Sequence, residues 1–117
     1  RGEGFGLPFL EAATAGLPVI ATNWSAHKEF LDLGRWISFG YDLKPVAESK
    51  IDGEIFVKGA KWAEVREDDF KKKVRNFYKK PALPSQWSKE LSEKLREDYS
   101  IDSVIRKYDS VLGEILA

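Results

Sequence analysis

The pattern of apolar and polar positions predicts a short helix and a buried strand at the start of the chain. Pro8 to Ala15 carries apolar residues at helical spacing, and Gly16 is suited to end the helix. Leu17 to Thr22 (LPVIAT) is a continuous apolar run with β-branched residues, which is typical of a buried parallel strand. Because a helix followed at once by such a strand is the second half of a βαβ unit, we expect an α/β fold with a short parallel sheet.

The middle of the chain has shorter and weaker signals. Asn23 to Leu33 is expected to be a loop and then a short helix that ends at Gly34. A strand is predicted over Trp36 to Val46, with Pro45 at an edge or strand end. An exposed loop over Ala47 to Gly53 is expected to follow. After it the sequence predicts a short strand over Glu54 to Val57 and a turn at Gly59.

The C-terminal half has helical periodicity. Phe70, Val74, Phe77 and Tyr78 predict an amphipathic helix over about Glu67 to Lys79, ended by Pro81 and Pro84. Ser85 is expected to cap a second helix and Ser100 a third. The third helix has the longest apolar stripe, formed by Val104, Ile105, Tyr108, Val111, Leu112, Ile115 and Leu116. Residues 1–64 are therefore interpreted as the α/β portion and residues 65–117 as the helical portion.

Composition removes several classes of function. The 117 residues include no cysteine, so the chain can have no disulfide, thiol nucleophile or cysteine metal site. Nineteen basic residues balance nineteen acidic ones, which disfavours a nucleic-acid binder. No apolar run approaches the roughly 18 residues that a membrane span needs.

The first residues combine two glutamates with a glycine-rich loop. Glu3 and Glu11 flank the sequence GFGLPFL, in which glycines allow the backbone to approach a ligand closely. Pro8 opens the helix, so N–H groups near Gly6 to Leu10 are expected to form an anion site suited to a diphosphate. From one turn into the helix Glu11 can accept hydrogen bonds from a vicinal diol such as ribose, and Glu3 can meet a sugar hydroxyl.

The segment RGEGFGLPFLEAATAGLPVIAT resembles the signature of the group-one, family-four retaining glycosyltransferases. That signature has two glutamates separated by seven residues and runs into EAMAxGxPVIA. The resemblance is specific over residues 1–24 and looser in the later segments NWSAHKEFL, YDLKPV, GAKWAEVREDDFKKKVRNFY and YSIDSVIRKYDSVL. It implies part of the C-terminal, nucleotide-sugar-binding domain of a GT-B enzyme, a partial Rossmann-like domain whose terminal helix crosses back toward the other domain.

The resemblance also implies roles for individual residues. Glu3 matches the glutamate near the donor sugar and the reacting centre, and is the catalytic candidate as well as a donor-binding one. Gly4, Phe5, Gly6 and Leu7 match the loop whose amides meet the sugar and diphosphate, and Glu11 matches the glutamate that holds the ribose. The family generally works without a metal. No cofactor is expected, and the nucleotide diphosphate sugar is the donor substrate. Thr14 and Ala26 depart from the family's usual Ala and Gly.

The resemblance places the chain in a longer parent. The chain has no methionine and opens on Arg1 inside the motif, so we expect an upstream part that supplies the preceding strand, the acceptor domain and a basic pair for the diphosphate. The parent would transfer a hexose with retention to an acceptor (a sugar, a lipid-linked molecule or a protein) in the cytoplasm or at the membrane periphery. The isolated chain is expected to be inactive and, with a sheet edge or apolar face exposed, prone to self-association.

Two alternatives to a glycosyltransferase stay open. One is another GT-B sugar-nucleotide enzyme, such as an epimerase or a phosphorylase-like catalyst. The other is a non-enzymatic nucleotide-sugar-binding or assembly module.

Among the remaining residues, Trp24 is the aromatic best placed to stack on a ligand, because it follows the carboxyl end of the predicted strand. The single histidine, His27, is more simply a loop or capping residue, and the lysines at 71–73 and 79–80 a solvated helix face.

Overall fold

The computed structural model describes residues 4–116 and has a mixed α/β fold. Its helices and strands are, in chain order, α1 (Leu7–Thr14), β1 (Ile20–Thr22), α2 (Lys28–Leu31), β2 (Ile37–Phe39), β3 (Tyr41–Pro45), a 3₁₀ turn (Glu48–Lys50), β4 (Lys61–Val65), α3 (Glu67–Lys79), α4 (Ala82–Asp98) and α5 (Ile101–Leu116). A short parallel sheet near the start and helices at the end were both predicted from the sequence, and both are confirmed.

The parallel sheet consists of β1 and β2, joined through α2. Ile20 lies opposite Ile37, and Thr22 lies opposite Phe39. Strand geometry begins only at Ile20, although Leu17 to Thr22 was predicted to be strand throughout. The segment before it still reaches the sheet, because the Ile37 N–H donates to the Val19 carbonyl at 3.1 Å.

The prediction of one strand over Trp36 to Val46 is wrong, because the chain changes sheets at Gly40. The Gly40 N–H donates to the Asp69 carboxylate at 2.7 Å, and its carbonyl accepts the Arg66 N–H at 3.0 Å. These two contacts end β2 and direct the chain into β3, which pairs antiparallel with β4. Pro45 stands at the end of β3, as its missing N–H predicted.

The short strand predicted over Glu54 to Val57 is also absent. Asp52 Oδ1 accepts the backbone N–H groups of Glu54, Ile55 and Phe56, each at 2.9 Å, and so folds this segment into a compact turn. The same hydrogen bonds, with that of Phe56 the largest contribution, lower the pKa of Asp52. Gly59 lies in the predicted turn with φ of 87°, and the strand that follows it, β4, was not predicted.

The three C-terminal helices follow the periodicity, with one error at a boundary. α3 spans the predicted residues and α5 begins after Ser100, whose Oγ accepts the Ser103 N–H at 3.2 Å. Ser85, in contrast, does not cap α4, which already begins at Ala82. Pro84 fits inside the first turn because N–H groups there need no helical partner.

The core lies where α1, β1, α2 and α4 meet. Its buried residues are Ala13, Val19, Ala21, Phe30, Leu31, Leu91 and Leu95. Ser92 and Arg96 of α4 donate hydrogen bonds to the Thr14 carbonyl, at 2.6 and 3.1 Å, and hold α4 against the end of α1. None of the helices between residues 4 and 116 has the length and apolar character that crossing a bilayer requires.

Candidate functional site

The first turn of α1 starts from a glycine that no other residue could replace without strain. Gly6 precedes the helix with φ of 91° and ψ of 41°, in the left-handed region. A Cβ placed on it would lie 3.0 Å from the Cβ of His27 and 3.1 Å from the ring of Phe9. The loop is therefore kept close to the loop that follows β1.

Aromatic contacts join this turn to the carboxyl end of the parallel sheet. The ring of Phe9 lies 4.9 Å from that of His27, and Phe5 lies 5.4 Å from Phe30. His27 Nε2 donates to the carbonyl of Thr22, the last residue of β1, at 2.7 Å. Since ligands of parallel α/β sheets bind beyond the carboxyl ends of the strands, the glycine loop lies at the edge where a ligand is expected.

Fewer backbone amides are available in this turn than the sequence predicted. The Phe9 and Leu10 N–H groups both donate to the Gly6 carbonyl, at 3.0 and 3.1 Å, and Pro8 has no N–H. Among the amides of residues 7–10, only that of Leu7 has no acceptor within the described residues. A diphosphate at this helix end would therefore meet the Leu7 amide, the glycine loop and the positive end of the helix dipole.

The predicted site residues are only partly brought together. Glu3 lies outside the described residues, whereas Gly4, Phe5, Gly6 and Leu7 form one continuous loop into α1. Glu11 is exposed and, within residues 4–116, its carboxylate makes neither a hydrogen bond nor an ion pair, so it is available to a ligand. It lies along a groove of about 620 Å³ between α1 and the junction of α4 and α5.

His27 contributes more to this site than the sequence suggested. It does precede α2 as a capping-position residue, but its side chain is only 5% exposed and lies under the glycine loop. Its ring also meets Trp36 edge-on at 5.9 Å. The available signal was a lone histidine five residues after a predicted parallel strand, and its contacts with Gly6 and Phe9 could not be predicted from spacing.

The exposed Trp24 and the half-buried Tyr41 form an aromatic pair at the same edge of the sheet. Their ring centroids lie 5.0 Å apart, and each residue follows the carboxyl end of one of the two parallel strands. Trp24 was predicted as a stacking candidate, and its exposure in the structure is compatible with that role, while Tyr41 was not predicted. Aromatic faces of this kind can stack on a base or a sugar.

Comparisons with known proteins do not add to this picture. No family model, curated protein or solved structure matches the chain. In the part of the chain that the structure describes, no three His, Asp or Glu side chains gather into a metal-binding group. The glycine loop and the sequence motif that forms it are therefore the features of this chain that bear on its function.

Proposed function

We propose that the chain is the donor-binding portion of a retaining glycosyltransferase of GT-B fold, whose parent transfers a hexose from a nucleotide diphosphate sugar. One observation carries the proposal: a glycine loop with Gly6 in the left-handed region enters α1 at the carboxyl edge of two parallel strands. This arrangement suits a diphosphate, because backbone can approach the anion there and the helix dipole favours negative charge.

Binding and electrostatics are the main contributions of this chain to such a reaction. The Leu7 amide and the first turn of α1 would offset the charge that grows on the leaving diphosphate. Glu11, exposed and without an ion pair within residues 4–116, would accept hydrogen bonds from the ribose hydroxyls, and Glu3 would orient the donor sugar. The Trp24–Tyr41 pair offers a stacking surface at the same edge.

Substitution of Glu11 tests the ribose role. Glu11→Ala in the parent protein should weaken nucleoside diphosphate binding by about 1–3 kcal/mol, because the ribose hydroxyls lose a charged acceptor. Isothermal titration calorimetry measures the effect, with Glu93→Ala, an exposed glutamate on α4, as the matched control. Unchanged affinity in Glu11→Ala would remove Glu11 from this role.

Product analysis separates this proposal from its alternatives. Transfer of the hexose to an acceptor with retained anomeric configuration supports a glycosyltransferase, whereas a sugar-nucleotide epimer as product supports an epimerase. Binding without turnover by the parent supports a non-enzymatic module. The 117-residue chain alone should show no transfer, and detectable transfer by it would contradict the expectation that the acceptor domain lies outside these residues.

A further inference from the structure

A second groove lies on the side of β2 away from β1, between that strand and the helices α3 and α4. Its volume is about 590 Å³, within the range of about 300–1,000 Å³ that small-molecule sites occupy. The apolar residues along it are Trp36, Ile37, Phe77, Leu83, Pro84 and Trp87. It shares no residue with the glycine loop or with the groove along Glu11, so it is a separate surface.

The charged residues along this groove are all basic. Lys73, Lys79 and Lys80 line it, and no acidic side chain does. The Lys73 ammonium is already bound by the Ser38 carbonyl and the Asp69 carboxylate. Lys79 and Lys80 are exposed and make no ion pair within residues 4–116. A chain of balanced net charge therefore places two unpaired cations at the mouth of an apolar groove.

Side-chain contacts hold the walls of the groove in place and disfavour an extended peptide as its occupant. The Trp36 indole donates to Asp32 at 2.9 Å, and the Arg35 guanidinium lies 5.3 Å from the centre of the Trp87 ring. An extended peptide could add to β2 only by taking up its outer backbone groups. Because Lys73 occupies the Ser38 carbonyl and Asp69 the Gly40 N–H, that edge is closed to a further strand.

We propose that this groove binds a single-chain anionic amphiphile of the fatty-acid class. The alkyl chain would cover Phe77, Leu83 and Trp87, and the carboxylate would lie between Lys79 and Lys80 at the mouth. Burial of the chain provides the affinity, and the two ammonium groups select the anionic end. The inference does not depend on the proposed glycosyltransferase function, since the two surfaces have no residue in common.

Titration of the full chain with monomeric dodecanoate tests the proposal. We expect one saturable site by calorimetry, and no binding of dodecyltrimethylammonium, which has the same chain length and the opposite charge. Lys79→Glu/Lys80→Glu should weaken dodecanoate binding by about tenfold, since two attractions become repulsions. Lys72→Glu/Lys89→Glu makes the same change of charge at exposed lysines that do not line the groove, and should leave the affinity unchanged.

A second pair of variants separates the groove from the apolar face of α5. Leu83 is 53% exposed and lines the groove, so Leu83→Ser should weaken binding while the circular dichroism spectrum stays unchanged. Ile105→Ser on α5 should leave binding unchanged. The proposal is overturned if Ile105→Ser weakens dodecanoate binding and the groove variants do not. It is also overturned if only dodecanoate assembled into vesicles, and not the monomer, binds the chain, or if no groove variant changes the affinity for dodecanoate. Sedimentation showing a dimer that Leu83→Ser dissociates would assign the groove to a second copy and overturn it equally.

Discussion

Helices α4 and α5 are neighbours in the chain and both carry an apolar stripe, but the stripe of α4 is buried and that of α5 is exposed. In α4, Leu91 and Leu95 are 2% and 0% exposed and pack into the core. In α5 no residue is buried, and Tyr108 and Leu116 are 64% and 81% exposed. The periodicity of a helix shows which of its faces is apolar, whereas burial depends on whether another element lies against that face.

The contacts with α1 explain why α4 is the buried one. Ser92 and Arg96 both donate to the Thr14 carbonyl, and Leu91 and Leu95 belong to the same cluster as Ala13. The stripe of α5 has no such neighbour in the part of the chain that the structure describes.

The largest expected effect comes from truncating matched leucines on the two helices. Leu95→Ala should reduce the free energy of unfolding by about 2–5 kcal/mol, because it leaves a cavity in the core. Leu112→Ala on α5 should change it by less than about 0.5 kcal/mol, the usual range for surface positions. Urea unfolding of both variants measures the difference. A comparable loss in Leu112→Ala would mean that α5 is packed in solution as α4 is.

Substitution of a glycine by alanine should change stability in opposite directions beside α4 and within α5. A Cβ on Gly34 would lie 3.1 Å from Leu91 Cβ and 3.4 Å from its Cα, so Gly34→Ala should cost about 1–3 kcal/mol. A Cβ on Gly113 of α5 meets nothing within 4 Å, and Gly113→Ala should stabilise the helix by about 0.5–1 kcal/mol. Thermal unfolding midpoints that shift in the same direction for both would contradict the comparison.

A smaller effect is expected from the serines that bond to carbonyls. Ser92→Ala removes the bond from a buried hydroxyl to Thr14, 78 positions away, and should cost about 1 kcal/mol. Ser110→Ala on α5 removes only a local bond to Lys107 and should have little effect. Denaturant midpoints of the two variants measure the difference, and equal losses would show that the Ser92 bond does not hold α4 to α1.

The smallest effect concerns α3, which is attached to β2 by polar contacts. The Gly40 N–H and the Lys73 ammonium lower the pKa of Asp69 below its ordinary 3.8. Because the folded-state pKa is the lower one, the contribution of Asp69 is fully present above that ordinary value and is lost as the pH falls through the folded one. Asp69→Asn should therefore lose less stability than the wild type between neutral pH and pH about 3, by denaturant unfolding. An unchanged acid loss would exclude this role.

The parts of the fold that sequence predicted are those with local causes. α3 has the predicted bounds because its acidic first turn and apolar stripe lie within the segment and Pro81 follows it closely. The break at Gly40 was missed because it depends on Arg66 and Asp69, which follow more than 20 positions later. The antiparallel pairing of β3 with β4 was missed as well, because the alternation of apolar and polar residues does not show which two segments pair.

The candidate site shows the same division. The glycine loop and the start of α1 were predicted from the motif, because their causes are adjacent residues. The place of His27 under Gly6, and the pairing of Trp24 with Tyr41, depend on how β1 and β2 align, which spacing does not reveal. The Gly6 carbonyl accepts hydrogen bonds from the Phe9 and Leu10 N–H groups, so fewer amides are available to an anion than the motif predicted.

We propose above all that the loop from Gly4 to Leu7, with Glu11, binds a nucleoside diphosphate. Titration of the isotopically labelled 117-residue chain with UDP, GDP and ADP, followed by amide NMR spectra, tests it most directly. The account predicts that at least one nucleotide shifts the amide signals of Gly4, Phe5, Gly6, Leu7 and Glu11 in a saturable way, while those of α5 stay in place. Shifts confined to other residues, or none with any of the three nucleotides, would contradict it.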